Sequence, residues 1–207
     1  MVDSESTTIM FLDVVNYTRK TTKLNREGLN KLHEIFDNFC LPIFEKYNGK
    51  VIKKIGDAFL VTFKSPTNSL HCAIQLQKTF YAYNKKFRKN LPIFIRIVLH
   101  HGEVLVRNND IYGDAVNITS RIEGITKPRD VVFSESLLLN INKNEIPYTY
   151  IGSHKFKGIN SPIRLFKVTQ KRKKIFAITN IIRKIFLILI IILLTILIYY
   201  ILQKIRI

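Results

Sequence analysis

Cysteine is scarce: the 207 residues hold two, Cys40 and Cys72. Two cysteines cannot form a disulfide framework, and these lack the spacing of a zinc or iron–sulfur site. Both fall within apolar helical patterns and are expected as reduced core residues. Acidic residues are scarce too, 15 against 33 Lys and Arg, and none follows Gln170. No GxxxxGKS or GxxxxGKT run is present, which excludes a P-loop. There is no internal repeat and no low-complexity tract. The polar N-terminus, MVDSESTT, does not read as a signal peptide.

What is present divides the chain. Before Gln170 there are 25 basic and 15 acidic residues; after it there are 8 basic residues. That length suits one globular domain with an appendage. Ile185–Leu202 is an uncharged run of 18 residues, long enough for roughly 27 Å of helix. Tyr199 and Tyr200 sit near its end. Lys171, Arg172, Lys173, Lys174, Arg183 and Lys184 precede it, while Lys204 and Arg206 follow. By the positive-inside rule this reads as a single-pass cell-membrane anchor with the preceding domain in the cytoplasm. The expected organisation is a domain over 1–170, a basic juxtamembrane segment over 171–184, a transmembrane helix over 185–203 and a short tail over 204–207. A basic domain also raises nucleic acid as a partner. With no recognition-helix motif or interleaved aromatic surface, none is expected.

Within the domain, Thr7–Val15 reads as a buried strand. A helical pattern runs from about Leu24 to Tyr47, and Pro42 is expected to kink or split it. Lys50–Phe63, KVIKKIGDAFLVTF, reads as a hairpin turning at Gly56-Asp57. Ser65-Pro66 supplies an N-cap and a first-turn proline for the next helix. Ile93–His101 reads as a strand turning at Gly102 into a second, Glu103–Arg107. After a polar turn at 108–110, Gly113-Asp114 opens a helix to about Ile125. A strand at Val131–Ser134, a short helix and strands at Tyr148–Phe156 and Ile163–Val168 complete the domain. This order predicts an α+β fold, a ferredoxin-like βαββαβ core with extra C-terminal α/β elements and one C-terminal transmembrane helix.

Two constellations carry chemistry. Asp13 ends an apolar strand, where a charge needs a partner, and Asp57 sits in the hairpin turn. If strands one and two lie adjacent, the carboxylates converge, and two carboxylates suit a hard divalent cation. In Asp110–Arg121, DIYGDAVNITSR, Asn117 and Arg121 lie four apart on one helical face. A neutral donor beside a fixed cation suits negative charge developing on phosphorus.

FLDVVNYT at 11–18, GKVIKKIGDAFLVTF at 49–63, IRIVLHHGEV at 95–104 and DIYGDAVNITSRIE at 110–123 closely resemble the class III adenylate and guanylate cyclase catalytic domain. A weaker match continues through FKGINSPIRLFKV at 156–168. The resemblance implies that Asp13 and Asp57 bind two Mg²⁺ or Mn²⁺ ions per active site. It implies that Lys53 and Asp110 read adenine, Asn117 orients the ribose, Arg121 stabilises the transition state and Lys157 binds terminal phosphates. Asn16 stands where many members have glycine; since Asn tolerates left-handed backbone, the amides of Val14, Val15, Asn16, Tyr17 and Thr18 are still expected to cradle phosphate. Active sites in the family form between head-to-tail chains, and this chain carries every member, which implies a homodimer with two sites. Only seven residues separate Gly102 from Asp110, shorter than the arm of animal-type domains. The implied activity is membrane-anchored conversion of ATP to 3′,5′-cyclic AMP and pyrophosphate by two-metal catalysis. A guanylate cyclase and a catalytically inactive cyclase-like nucleotide-binding module are the alternatives. The anchor either concentrates the dimer or meets a regulatory partner in the membrane.

Overall fold

A computed structural model describes residues 3–17, 21–22, 24–87, 92–169 and 185–195. The chain divides into two compact units, 1–169 and 170–207. In the first, β1 (Asp3–Val14) leads to α1 (Arg26–Lys46), the hairpin β2 (Gly49–Ile55) and β3 (Ala58–Phe63), α2 (Pro66–Lys86) and the long β4 (Ile95–Arg107). Then follow β5 (Asp110–Tyr112), α3 (Asp114–Ile125), β6 (Val131–Ser134), α4 (Glu135–Leu138), β7 (Tyr148–His154) and β8 (Ile163–Val168). The sheet order is β2-β3-β1-β4-β6-β8-β7, with β5 paired to β4. Its first four strands have the ferredoxin-like arrangement, and β6, β8 and β7 extend it.

Helix boundaries follow from local chemistry. Asn25 caps α1 by accepting the Gly28 amide at 2.8 Å, and Ser65 caps α2 with Pro66 in the first turn. Leu32, Phe36, Cys40 and Phe44 form the buried stripe of α1. They pack with α2 on the face of the sheet that presents Met10, Leu12, Phe59, Val61, Ile95 and Ile97. A fully buried Phe or Leu contributes about 1.5–3 kcal/mol, so this layer dominates stability. Cys40 and Cys72 are free and buried in it. Pro42 does not split α1, which runs unbroken for 21 residues. Buried contacts on both sides of it, at Cys40 and Phe44, hold the helix through the lost amide bond.

Strand alternation sends the other residues to the opposite face. Ile9 and Phe11 of β1 and Leu60 of β3 pack there with Ala115 of α3, while Val98 of β4 packs with Ile122. Asp13 and Arg96 have the parity of this second face, and α3 covers part of it.

Two further expectations change. β1 pairs with β3, not β2, so the two aspartates approach through the Asp13–Ala58 register pair. β4 does not turn at Gly102 but runs 13 residues straight through. A Cβ at Gly102 would lie 2.9 Å from that of Ala115, so this glycine admits α3 rather than bending a strand. The chain turns only at the expected polar segment, Asn108 and Asn109, whose φ angles of 53° and 59° suit a tight hairpin between Arg107 and Asp110.

In the second unit, residues 185–195 are helical. Among the described residues no helix is long and apolar enough to cross a membrane. The remainder of the 185–203 span, the basic segment 171–184 and the tail 204–207 lie outside the described residues.

Candidate active site

Register places Asp13 at the end of β1 opposite Arg96 of β4 on one side and Ala58 on the other. Arg96 donates from Nε (2.9 Å) and Nη2 (2.7 Å) to Asp13 Oδ2. The same Nη2 also meets Glu123 Oε1, carried by α3. Gly56, with φ of 60°, turns the hairpin and delivers Asp57 beside Asp13. Burial, and then the neighbouring Asp13, push the Asp57 carboxyl up to about 6. Burial also raises Glu123, against the pull of Arg96. Two crowded carboxylates of which one resists ionisation fit a hard divalent cation, which relieves their repulsion through oxygen ligands alone. Asp13 and Asp57 would be its protein ligands.

The turn after Asp13 is only partly available to an anion. Asn16 is left-handed, with φ of 59°. The Val15 amide donates to the Phe94 carbonyl at 2.7 Å and is already committed. That leaves the Asn16 and Tyr17 amides as the candidate donors, since Val14 belongs to the β1–β4 ladder; Thr18 lies outside the described residues. Tyr17 Oη bonds His33 Nε2 at 2.7 Å, and the two rings meet edge to face. A side chain of α1 therefore anchors this turn.

A second group forms around the hairpin's other strand. The register of β2 shifts between Val51 and Lys53, and the bulge sets Lys53 opposite Leu60, on the α3 face. Lys54 then falls on the helical face, paired with Asp37 at 2.6 Å and lying over Phe59. Lys53 Nζ reaches Asp110 Oδ2 at 2.6 Å. The hydrogen bond from Lys53 is the chief reason that Asp110 sits below the usual carboxylate range. Glycine at 56 makes the turn, but the bulge separates Lys53 from Asp57.

The third group is on α3. Ala115, Thr119 and Ile122 are its buried stripe, which leaves Asn117 exposed and Arg121 half-buried. Gly158, with φ of 75°, lets the 156–158 turn lie against Arg121: a Cβ there would be 3.5 Å from Nη2. This brings the neighbouring exposed Lys157 alongside α3. Asp13 and Asp57 thus meet, Lys53 meets Asp110, and Arg121 meets the Lys157 loop.

Sequence reading missed Arg96, Glu123 and His33. Arg96 had a signal, a lone cation in the apolar strand IRIVL, yet its partner could be named only from the β1–β4 register. Glu123 and His33 had none, since exposed helical faces carry such residues routinely.

Over residues 1–179 the chain matches the family model described as the adenylate and guanylate cyclase catalytic domain. It is 26% identical over 167 residues to the serine/threonine-protein kinase pkn2 of Myxococcus xanthus, covering 81% of this chain and 20% of that protein. It is 27% identical over 164 residues to putative adenylate cyclase 3 of Rhizobium meliloti, covering 79% and 28%. The chain therefore spans between 20% and 28% of the length of these two curated relatives. The crystal structure of the adenylyl cyclase CyaB from P. aeruginosa superposes with a TM-score of 0.76 at 22% identity, over 84% of this chain and 98% of that one. At that identity the likeness concerns the fold.

Proposed function

Because this chain belongs to the family of adenylate and guanylate cyclase catalytic domains, we propose that it converts ATP to 3′,5′-cyclic AMP and pyrophosphate. In this reaction the ribose 3′-oxygen bonds to the α-phosphorus, the α–β phosphoanhydride bond breaks and the hydroxyl proton is released. Bound divalent cations supply Lewis-acid activation of the 3′-hydroxyl and neutralise phosphate charge. Asp13 and Asp57 would hold them.

The remaining roles fall to the other groups. Arg121, held by the 156–158 turn, would offset charge on the α-phosphoryl oxygens. Removing such a donor costs on the order of 10²–10³ in rate. Asn117, one turn earlier, would orient the ribose. Lys157 would meet the terminal phosphates, helped by the Asn16 and Tyr17 amides. Where the metal pair of one chain meets Lys53, Asp110, Asn117 and Arg121 of a second copy, a homodimer has two equivalent sites.

The choice of ATP rests on one observation, the 2.6 Å contact between Lys53 and Asp110. A cationic donor beside an acceptor matches adenine, which offers N1 as acceptor and the 6-amino group as donor. Guanine carries its acceptor and donor in the opposite positions, O6 and N1–H, so with Lys53 facing N1 and Asp110 facing the 6-substituent both contacts would be mispaired. Turnover of ATP and GTP by the full chain with Mn²⁺ tests this. ATP is expected to give the higher kcat/KM, and a preference for GTP contradicts the roles of Lys53 and Asp110.

Residues 185–203 are proposed to anchor the enzyme in the cell membrane with its catalytic domain in the cytoplasm. The uncharged run and its basic N-terminal flank support this. The chain should stay with membranes through an alkaline carbonate wash; its release contradicts the anchor.

A further inference from the structure

Arg96 occupies a position that the proposed chemistry leaves unexplained. Its guanidinium has two carboxylate partners on different elements, Asp13 of β1 and Glu123 of α3, and both contacts converge on Nη2. Asp57 stands beside Asp13 as a third carboxylate. Arg96, Asp13 and Glu123 side chains are 27%, 15% and 23% exposed, so the cluster is shielded enough for each charge to need a partner. Arginine suits such a bridge, since its planar fork can face two carboxylates at once.

Both Arg96 contacts on Asp13 go to the single oxygen Oδ2. A divalent cation ligated by Asp13 seeks those same carboxylate electrons. Cation and guanidinium are therefore rivals at one group. A displaced arginine would ordinarily lose its partner in a half-buried site, but Nη2 is already in contact with Glu123. The second contact gives Arg96 a place to remain.

We infer that Arg96 is a resident competitor for the Asp13 carboxylate, and that Glu123 is the positioning residue that retains Arg96 when a divalent cation takes Asp13. This rests on the reading of Asp13 and Asp57 as cation ligands. In the cation-free chain Arg96 offsets part of the repulsion between Asp13 and Asp57. On cation arrival it passes to Glu123 and stays within the cluster. Glu123 shares α3 with Asn117 and Arg121, so the handover links the helix bearing the ribose and phosphate groups to the metal carboxylates.

The test is Mn²⁺ binding by the nucleotide-free full chain, read as free Mn²⁺ by electron paramagnetic resonance, with circular dichroism to confirm folding. Losing a charge-assisted rival should tighten Mn²⁺ binding by about tenfold in Arg96→Gln, or in Arg96→Met if the first variant does not fold. Glu123→Gln should weaken it about fivefold, because the displaced arginine then has no second carboxylate. The double variant should bind like Arg96→Gln alone. A network that merely braces the fold would not produce opposite signs at its two ends. Weaker or unchanged binding in Arg96→Gln, or a Glu123→Gln effect that persists without Arg96, overturns the inference. Asp57→Asn separates the two readings. If it keeps full Mn²⁺ binding, the assignment of the metal ligands fails. If it loses binding while Arg96→Gln matches wild type, only the competition fails.

Discussion

At the scale of single residues, burial is the first cause of the shifts at His100 and Asp57. His100 projects onto the α3 face of β4, with Nδ1 2.8 Å from Ser134 Oγ, and is almost wholly buried. Burial, and secondarily the neighbouring His101, lower it from 6.5 to about 4. Between these values the unfolded chain binds a proton that the folded chain does not, so stability rises with pH across that window. The contribution is complete above about pH 6.5 and is lost as pH falls through about 4. It amounts to about 3 kcal/mol at most. Denaturant melts at pH 7.5 and 4.5 should therefore differ more for wild type than for His100→Gln. Equal losses in both would mean that His100 is not the group responsible. Asp57 is shifted by the same two causes, burial and a like-charged neighbour, but that neighbour is the Asp13 carboxylate, a second oxygen donor for a cation, whereas His100 is satisfied by Ser134.

At the scale of elements, α3 and the turn after β1 carry the site, and each has one identifiable support. Gly102 gives α3 its seat, because a side chain there would collide with Ala115. Gly102→Val should lower thermal stability, with an overpacking cost of about 1–3 kcal/mol. It should also reduce cyclisation by more than stability alone accounts for, since Asn117 and Arg121 ride on the displaced helix. Normal kcat in a folded variant would contradict this. The turn is held through Tyr17 and His33. Tyr17→Phe keeps the ring and removes the hydrogen bond. KM for ATP should rise about fivefold with a smaller change in kcat, the loss expected for one neutral hydrogen bond of about 1 kcal/mol. His33→Ala should add nothing further in the Tyr17→Phe background, and additive effects would show that the pair does not act as a unit. Neither support was legible in the sequence. Gly102 read as a turn because a glycine after an apolar run usually is one, and its tertiary neighbour lies on a helix that begins twelve residues later. Pro42 read as a break for the same reason: local propensity was outweighed by packing on either side.

For the whole domain, local pattern revealed a great deal. The stripes of α1 and α2, the hairpin and the order of strands and helices all follow from periods of 3.6 and 2. Pairing between distant strands leaves no such local trace: only the ferredoxin-like class implied that β3 lies between β1 and β2, and the bulge that redirects Lys53 had no signature in KVIKKI. Asp13 stood out as a charge in an apolar strand, whereas Arg96 and Glu123 became part of the site only when the β1–β4 register and the seat of α3 brought them together. The central claim is one of arrangement: the carboxylate pair of one chain works with the purine-facing pair of another. Two full-length variants, Lys53→Ala and Asp57→Ala, each poor alone, measure it when co-expressed. A mixed dimer then holds both defects in one site and leaves the other intact. With random pairing, half the dimers are mixed, so cyclic AMP formation should recover to about a quarter of wild type. No recovery from mixed dimers shown to have formed would mean that Lys53 and Asp57 serve one and the same site, and the arrangement would be wrong.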